Sequence, residues 1–151
     1  MKKLKIDVCF VFIILVCSPS AVQAHLGQNV VLSCRVEPPI NLTAETLEWK
    51  HGPAVVHVYR SGGDNNDDQD LRFKNRTILN HQNLKDGNVS LTLTNVTKED
   101  EGNYTFCLPK QVMCSNVTLT VGKKPAKSKV HQNVLMLFMF FFVKAAVTKE
   151  K

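Results

Sequence analysis

Between His25 and Gly122 the apolar residues fall in short runs with a period of two, separated by polar stretches rich in Gly, Asn and Asp, a pattern that predicts strands and no long helix. In Val30–Cys34, Val30, Leu32 and Cys34 share one face. In Leu47–Lys50, Leu47 and Trp49 point one way, Glu48 and Lys50 the other. Val55–Tyr59 is an almost wholly apolar run ended by Gly62 and Gly63. Phe73–Leu79 and Val89–Leu93 supply two more strands, the second with Val89, Leu91 and Leu93 inward. A last strand carries Val117, Leu119 and Val121 on its inner face.

The two ends of the chain read differently. Lys2, Lys3 and Lys5 precede the apolar run Val8–Cys17, and Val22-Gln23-Ala24 offers a small-residue exit, the layout of a secretory leader over residues 1–24. A cut after Ala24 leaves a domain over 25–122; a cut nearer Ser18 or Ser20 would keep Ala21–His25 as a short edge strand. Beyond Gly122, residues 123–133 have the composition of a basic stalk and 134–147 are apolar apart from Lys144. The unbroken stretch Val134–Val143 would rise only about 15 Å as a helix, half a hydrocarbon core. Ala145–Val147, with Lys144 snorkelling, extend it to a marginal span followed by a tail over 148–151. The expectation is a single-pass type I protein at the cell surface, with secretion or a lipid anchor as alternatives.

The formal charge of +6 belongs to these ends. Residues 25–122 hold nine basic and eleven acidic side chains. That leaves no basic face for nucleic acid.

Cys34, Trp49 and the run Asp100-Glu101-Gly102-Asn103-Tyr104 ahead of a second cysteine are the core pieces of a variable-type immunoglobulin β-sandwich, a single all-β Greek-key domain. In that fold the tryptophan packs on an inter-sheet disulfide, the tyrosine hydroxyl ties down the turn before its strand, and Arg76 and Asp100 stand where an ion pair closes the bottom of the sandwich. The second cysteine is displaced: the usual spacing puts it at 106, which is Phe106, and Cys107 follows. Alternation then turns Tyr104 and Phe106 inward and Cys107 outward, unless a bulge brings Cys107 back to Cys34. The leading pairing is Cys34–Cys107. Cys107–Cys114, with both on the outward side of a hairpin, and Cys34–Cys114 are the alternatives. With Cys9 and Cys17 assigned to the leader, three cysteines remain and one is left over.

Six sequons, at Asn41, Asn75, Asn88, Asn95, Asn103 and Asn116, suit a glycosylated extracellular surface. The acidic run Asp64–Asp70 reads as a solvated loop, because Gln69 and Asn75 stand where a calcium loop needs Gly and Glu. The histidines at 25, 51, 57, 81 and 131 lack metal-ligand spacing, and no catalytic constellation is recognisable, so neither a metal, a cofactor nor an enzyme is expected.

Taken together, Leu47-Glu48-Trp49-Lys50, Val56-His57-Val58-Tyr59-Arg60, Phe73-Lys74-Asn75-Arg76-Thr77, Gly87–Leu93 and Asp100–Pro109 resemble the variable-type domain of the butyrophilin and myelin oligodendrocyte glycoprotein group, which includes costimulatory ligands of T cells. The resemblance covers about residues 27–122. It implies a membrane protein that modulates T-cell receptor signalling and cytokine production by binding a protein receptor on T cells or other leukocytes, with homophilic adhesion as the alternative. The contact residues expected are Glu48, Lys50, His57, Tyr59 and the loop Lys110, Gln111, Val112 and Met113.

Overall fold

The computed structural model describes residues 12–123. The expected stalk from 124 onward, the apolar segment 134–147 and the tail 148–151 lie outside the described residues. Ten strands form two sheets: β1 (Ile14–Cys17), β2 (Ala21–His25), β3 (Val30–Glu37), β4 (Leu47–His51), β5 (Ala54–Arg60), β6 (Gly63–Asp64), β7 (Thr77–Leu79), β8 (Asn88–Leu93), β9 (Gly102–Leu108) and β10 (Met113–Gly122). One sheet has the order β1-β3-β8-β7, the other β2-β10-β9-β4-β5-β6. This is the all-β variable-type sandwich that the sequence predicts.

The alternation read in the sequence sets the core. Leu32, Leu91, Leu93, Val89, Leu47, Trp49, Val117 and Leu119 are all buried between the sheets. Burial at about 25 cal/mol per Å² makes these inward faces the main source of stability. The strand expected over Phe73–Leu79 is shorter. Only Thr77–Leu79 pair with β8, because Asn75 takes a left-handed φ of 60° and Phe73 and Arg76 are held in turns by the hydrogen bonds Phe73 N→Asp70 O (2.9 Å) and Arg76 N→Phe73 O (3.0 Å). Gly87, at φ 72°, ends the 3-10 turn His81–Asp86, and a Cβ there would meet the Ile40 backbone at 3.1 Å.

The N-terminal part of the sandwich departs from the sequence reading. Residues read as the end of a leader form two strands: β1 runs antiparallel to β3, and β2 runs parallel to β10. Both are edge strands, in which only Cys17 and Ala24 are buried. Ala24, read as the last leader residue, is 2% exposed, and the Leu26 N–H donates to Gly122 O at 3.2 Å. Cys17 is opposite Cys34 in the β1–β3 ladder and bonded to it.

That bond corrects the leading pairing of Cys34 with Cys107. The β9–β10 register is unbroken from Met113↔Leu108 to Leu119↔Gly102, so no bulge turns Cys107 inward. Cys107 instead faces Cys114 across the hairpin, Cα to Cα 4.2 Å, and the two are bonded. All four cysteines of the described residues are therefore paired, and each bond lies within one sheet.

Phe106, fully buried, stacks on Trp49 at 5.1 Å between ring centroids. At the base of the sandwich Arg76 grips both carboxylate oxygens of Asp100. The same carboxylate accepts the Thr97 N–H at 2.7 Å, and the Asp100 carbonyl accepts the Tyr104 hydroxyl at 2.8 Å. Burial, aided by the nearby Asp100 charge, drives the Tyr104 hydroxyl's pKa far above its ordinary range, so it stays a donor.

Candidate receptor-binding face

Strand registers across β10, β9, β4 and β5 line up two rows of outward side chains on the larger sheet. One row runs Cys114, Cys107, Glu48, Val58; the next runs Asn116, Thr105, Lys50, Val55. Glu48 and Lys50, neighbours on the same side of β4, pair at 3.0 Å near the middle of the face. A half-exposed pair of this kind adds little stability and orients two charges toward solvent.

Two expected contact residues are absent from this face. The register sets Tyr59 opposite Leu47 and His57 opposite Trp49, so both point into the core, at 3% and 2% exposure. The Tyr59 hydroxyl donates to Thr43 O at 2.9 Å. His57 donates from Nε2 to Asp64 Oδ1 at 2.9 Å, and its Nδ1 shares a hydrogen bond with the Thr77 hydroxyl at 3.0 Å. His81 donates to the same Asp64 oxygen at 2.8 Å. Partial burial raises the Asp64 pKa, but the hydrogen bonds and charges of the two histidines outweigh it and hold the carboxyl below its ordinary value. This cluster fastens β5 and β6 to the start of β7. Because Val55–Tyr59 is apolar almost throughout, alternation in the sequence could not say which side of β5 faced out; a β-bulge between Trp49 and Lys50 decides it for Val55 and Val58.

The loop expected to contribute is built as a closed tip. Pro109 opens the 3-10 turn Pro109–Gln111, and the Val112 N–H donates back to Pro109 O at 3.2 Å. Glu45, on the neighbouring loop, receives both Gln111 Nε2 at 3.2 Å and Lys110 Nζ at 3.5 Å. Sequence reasoning missed Glu45, because only the fold brings it beside a segment 65 residues away. Met113 is partly buried against the core, and Val112 is 90% exposed.

All six sequon asparagines are exposed. Asn103 and Asn116 lie on the outer face of β9 and β10, where Thr118 Oγ1 donates to Asn103 Oδ1 at 2.7 Å. Asn88 sits on the other sheet. Asn75 and Asn95 occupy left-handed turns, and Asn41 accepts from the backbone N–H of Thr43 at 3.0 Å.

Comparison with known proteins places this architecture. Human myelin-oligodendrocyte glycoprotein is 37% identical over 86 residues, 56% of this chain and 35% of that protein. Human V-set domain-containing T-cell activation inhibitor 1 is 37% identical over 82 residues, 53% of this chain and 29% of that protein. The chain thus spans about a third of the length of these curated relatives. Among solved structures, the human B7-H4 IgV-like domain superposes with a TM-score of 0.63 at 30% identity, over 73% of this chain and 97% of that one. The family model described as immunoglobulin V-set domain matches residues 17–122, starting at the cysteine that pairs with Cys34. The relatives are recognition modules and not enzymes, and the chain belongs to the immunoglobulin V-set domain family.

Proposed function

We propose that this protein is an extracellular recognition module that binds a protein receptor on T cells or other leukocytes and thereby modulates T-cell receptor signalling and cytokine production. The observation that carries the reading is the outer face of β10, β9, β4 and β5, where the Glu48–Lys50 pair and the apolar Val55 and Val58 lie beside the disulfide-closed tip at Lys110–Met113. A face that carries a charged pair at its middle and apolar side chains on the adjacent strand suits contact with a protein. The chain's relatives include one whose name assigns it inhibition of T-cell activation, which supports a leukocyte partner.

Residues 123–133 serve as a stalk and 134–147 as the anchor, presenting the domain at the cell surface. Glycans at Asn103 and Asn116 cover the β9–β10 side of the face and leave contact to β4, β5 and the tip. Of the other four sequons, Asn88 lies on the opposite sheet, and Asn41, Asn75 and Asn95 lie outside the strands of the face.

The test is flow cytometry of resting and activated leukocytes with beads carrying the full chain, made in a secretory host that glycosylates. Saturable binding to T cells that is reduced by Lys50→Glu supports the reading. Beads that bind one another and no leukocyte favour self-adhesion and overturn it.

A further inference from the structure

Among the described residues four that are not glycine have positive φ: Ser61, Asn75, Asn95 and Val112. Asn enters the left-handed region readily and Ser is small and unbranched. Valine is β-branched, and its Cβ substituents crowd the backbone there. Val112 sits at φ 53°, ψ 41°, in the left-handed helical well.

The Val112 N–H closes the turn on Pro109 O, a bond that any residue but proline would make, and among the described residues no side-chain hydrogen bond or ion pair involves Val112. Of the residues between Cys107 and Cys114, Leu108 is fully buried, Pro109 starts the turn, Lys110 and Gln111 hold Glu45, and Met113 packs against the core. Val112 is 90% exposed and has no such task. Glycine would suit the backbone better, so folding alone does not account for a valine at this site.

The tip that carries Val112 is also held still. The Cys107–Cys114 bond closes its base, with Cα atoms 4.2 Å apart, and the two contacts to Glu45 brace its side. A side chain fixed in this way loses little conformational entropy on binding.

We propose that Val112 is the anchor of the contact, an isopropyl knob presented ready-shaped to a concave apolar socket on the partner protein; this rests on the receptor-binding reading above. One isopropyl group offers too little apolar area for a lipid surface, so the partner is a protein. Burying one valine is enough to change affinity by about tenfold or more.

The test compares Val112→Gly and Val112→Leu in the full chain, by the same bead assay on leukocytes and by thermal unfolding. Glycine relieves the backbone and removes the knob; leucine keeps an apolar knob without the β-branch. The expected result is that both variants melt at or above the parent's temperature, that V112G raises the half-saturating bead dose about tenfold or more, and that V112L stays within about threefold of the parent. Parent beads that bind while V112G binds equally well overturn the anchor and leave the receptor reading standing. Loss of binding by V112L to the same degree as V112G, with both folded, also overturns it. Parent beads that bind no leukocyte overturn both.

Discussion

Phe106 lies on Trp49 with ring centroids 5.1 Å apart and planes tilted by 35°, both fully buried and opposite each other in the β4–β9 ladder. Spacing from Tyr104 would put a cysteine where Phe106 stands. The aromatic pair fills that volume, and both disulfides of the described residues run within a sheet instead of between sheets. Holding the two sheets together thus falls to apolar packing, with the Arg76–Asp100 pair closing the base.

Replacing Phe106 by alanine should therefore be severe. Removing a buried aromatic ring costs about 3–5 kcal/mol through lost transfer energy and the cavity left behind. Urea unfolding should show this drop in the extrapolated stability with an unchanged m-value. A loss under about 1 kcal/mol would mean that Phe106 is not central to the core.

The Arg76–Asp100 pair predicts strong coupling. Asp100 is buried and Arg76 largely so, hence Arg76→Leu strands a carboxylate and should cost about 3 kcal/mol. Asp100→Asn alone leaves Arg76 without its partner. In a double-mutant cycle the combined variant should lose less than the sum of the two, and strict additivity would show the pair to be energetically idle.

Acid stability depends on Asp64. His57 and His81 hold its carboxyl below the ordinary value of 3.8, so the native state favours the ionised form. The stabilisation is fully present above the unfolded value and is lost as pH falls through the lower folded one. Asp64→Asn should remove this part of the pH dependence, flattening the curve of urea midpoint against pH below about pH 4. Curves of equal slope for the two proteins would contradict it.

Cys17 gives a thiol-counting experiment. A form beginning at His25 has lost β1, β2 and the partner of Cys34, so it should titrate one thiol per molecule after denaturation. A form spanning 12–123 should titrate none. The shorter form should also be weaker by about 3 kcal/mol from the missing bond alone. Peptide mapping under non-reducing conditions should recover Cys17 linked to Cys34; a Cys34–Cys107 peptide would refute the pairing.

Local pattern was enough to read most of the sandwich. Period-two alternation placed Leu32, Trp49, Leu91 and Leu119 inward, and the same alternation put Cys107 outward once Tyr104 and Phe106 were set inward. Glu48 and Lys50 were legible on the outer face for that reason. These assignments depend only on neighbours along one strand, which the sequence lists in order.

Pairing between strands was decided by tertiary structure. Ile14–Cys17 belongs to an apolar run read from sequence as part of a leader, and its pairing with β3 is visible only in the structure. His57 and Tyr59 lie in a run apolar on both sides, and the register opposite Trp49 and Leu47 turns them inward. Glu45 reaches Lys110 and Gln111 only because two loops meet at one end of the sandwich. Residue types and their spacing determined the faces of strands and the family; which strand lies beside which, and so which cysteine finds which, came from contacts between residues far apart in the chain, whose partners no local pattern encodes.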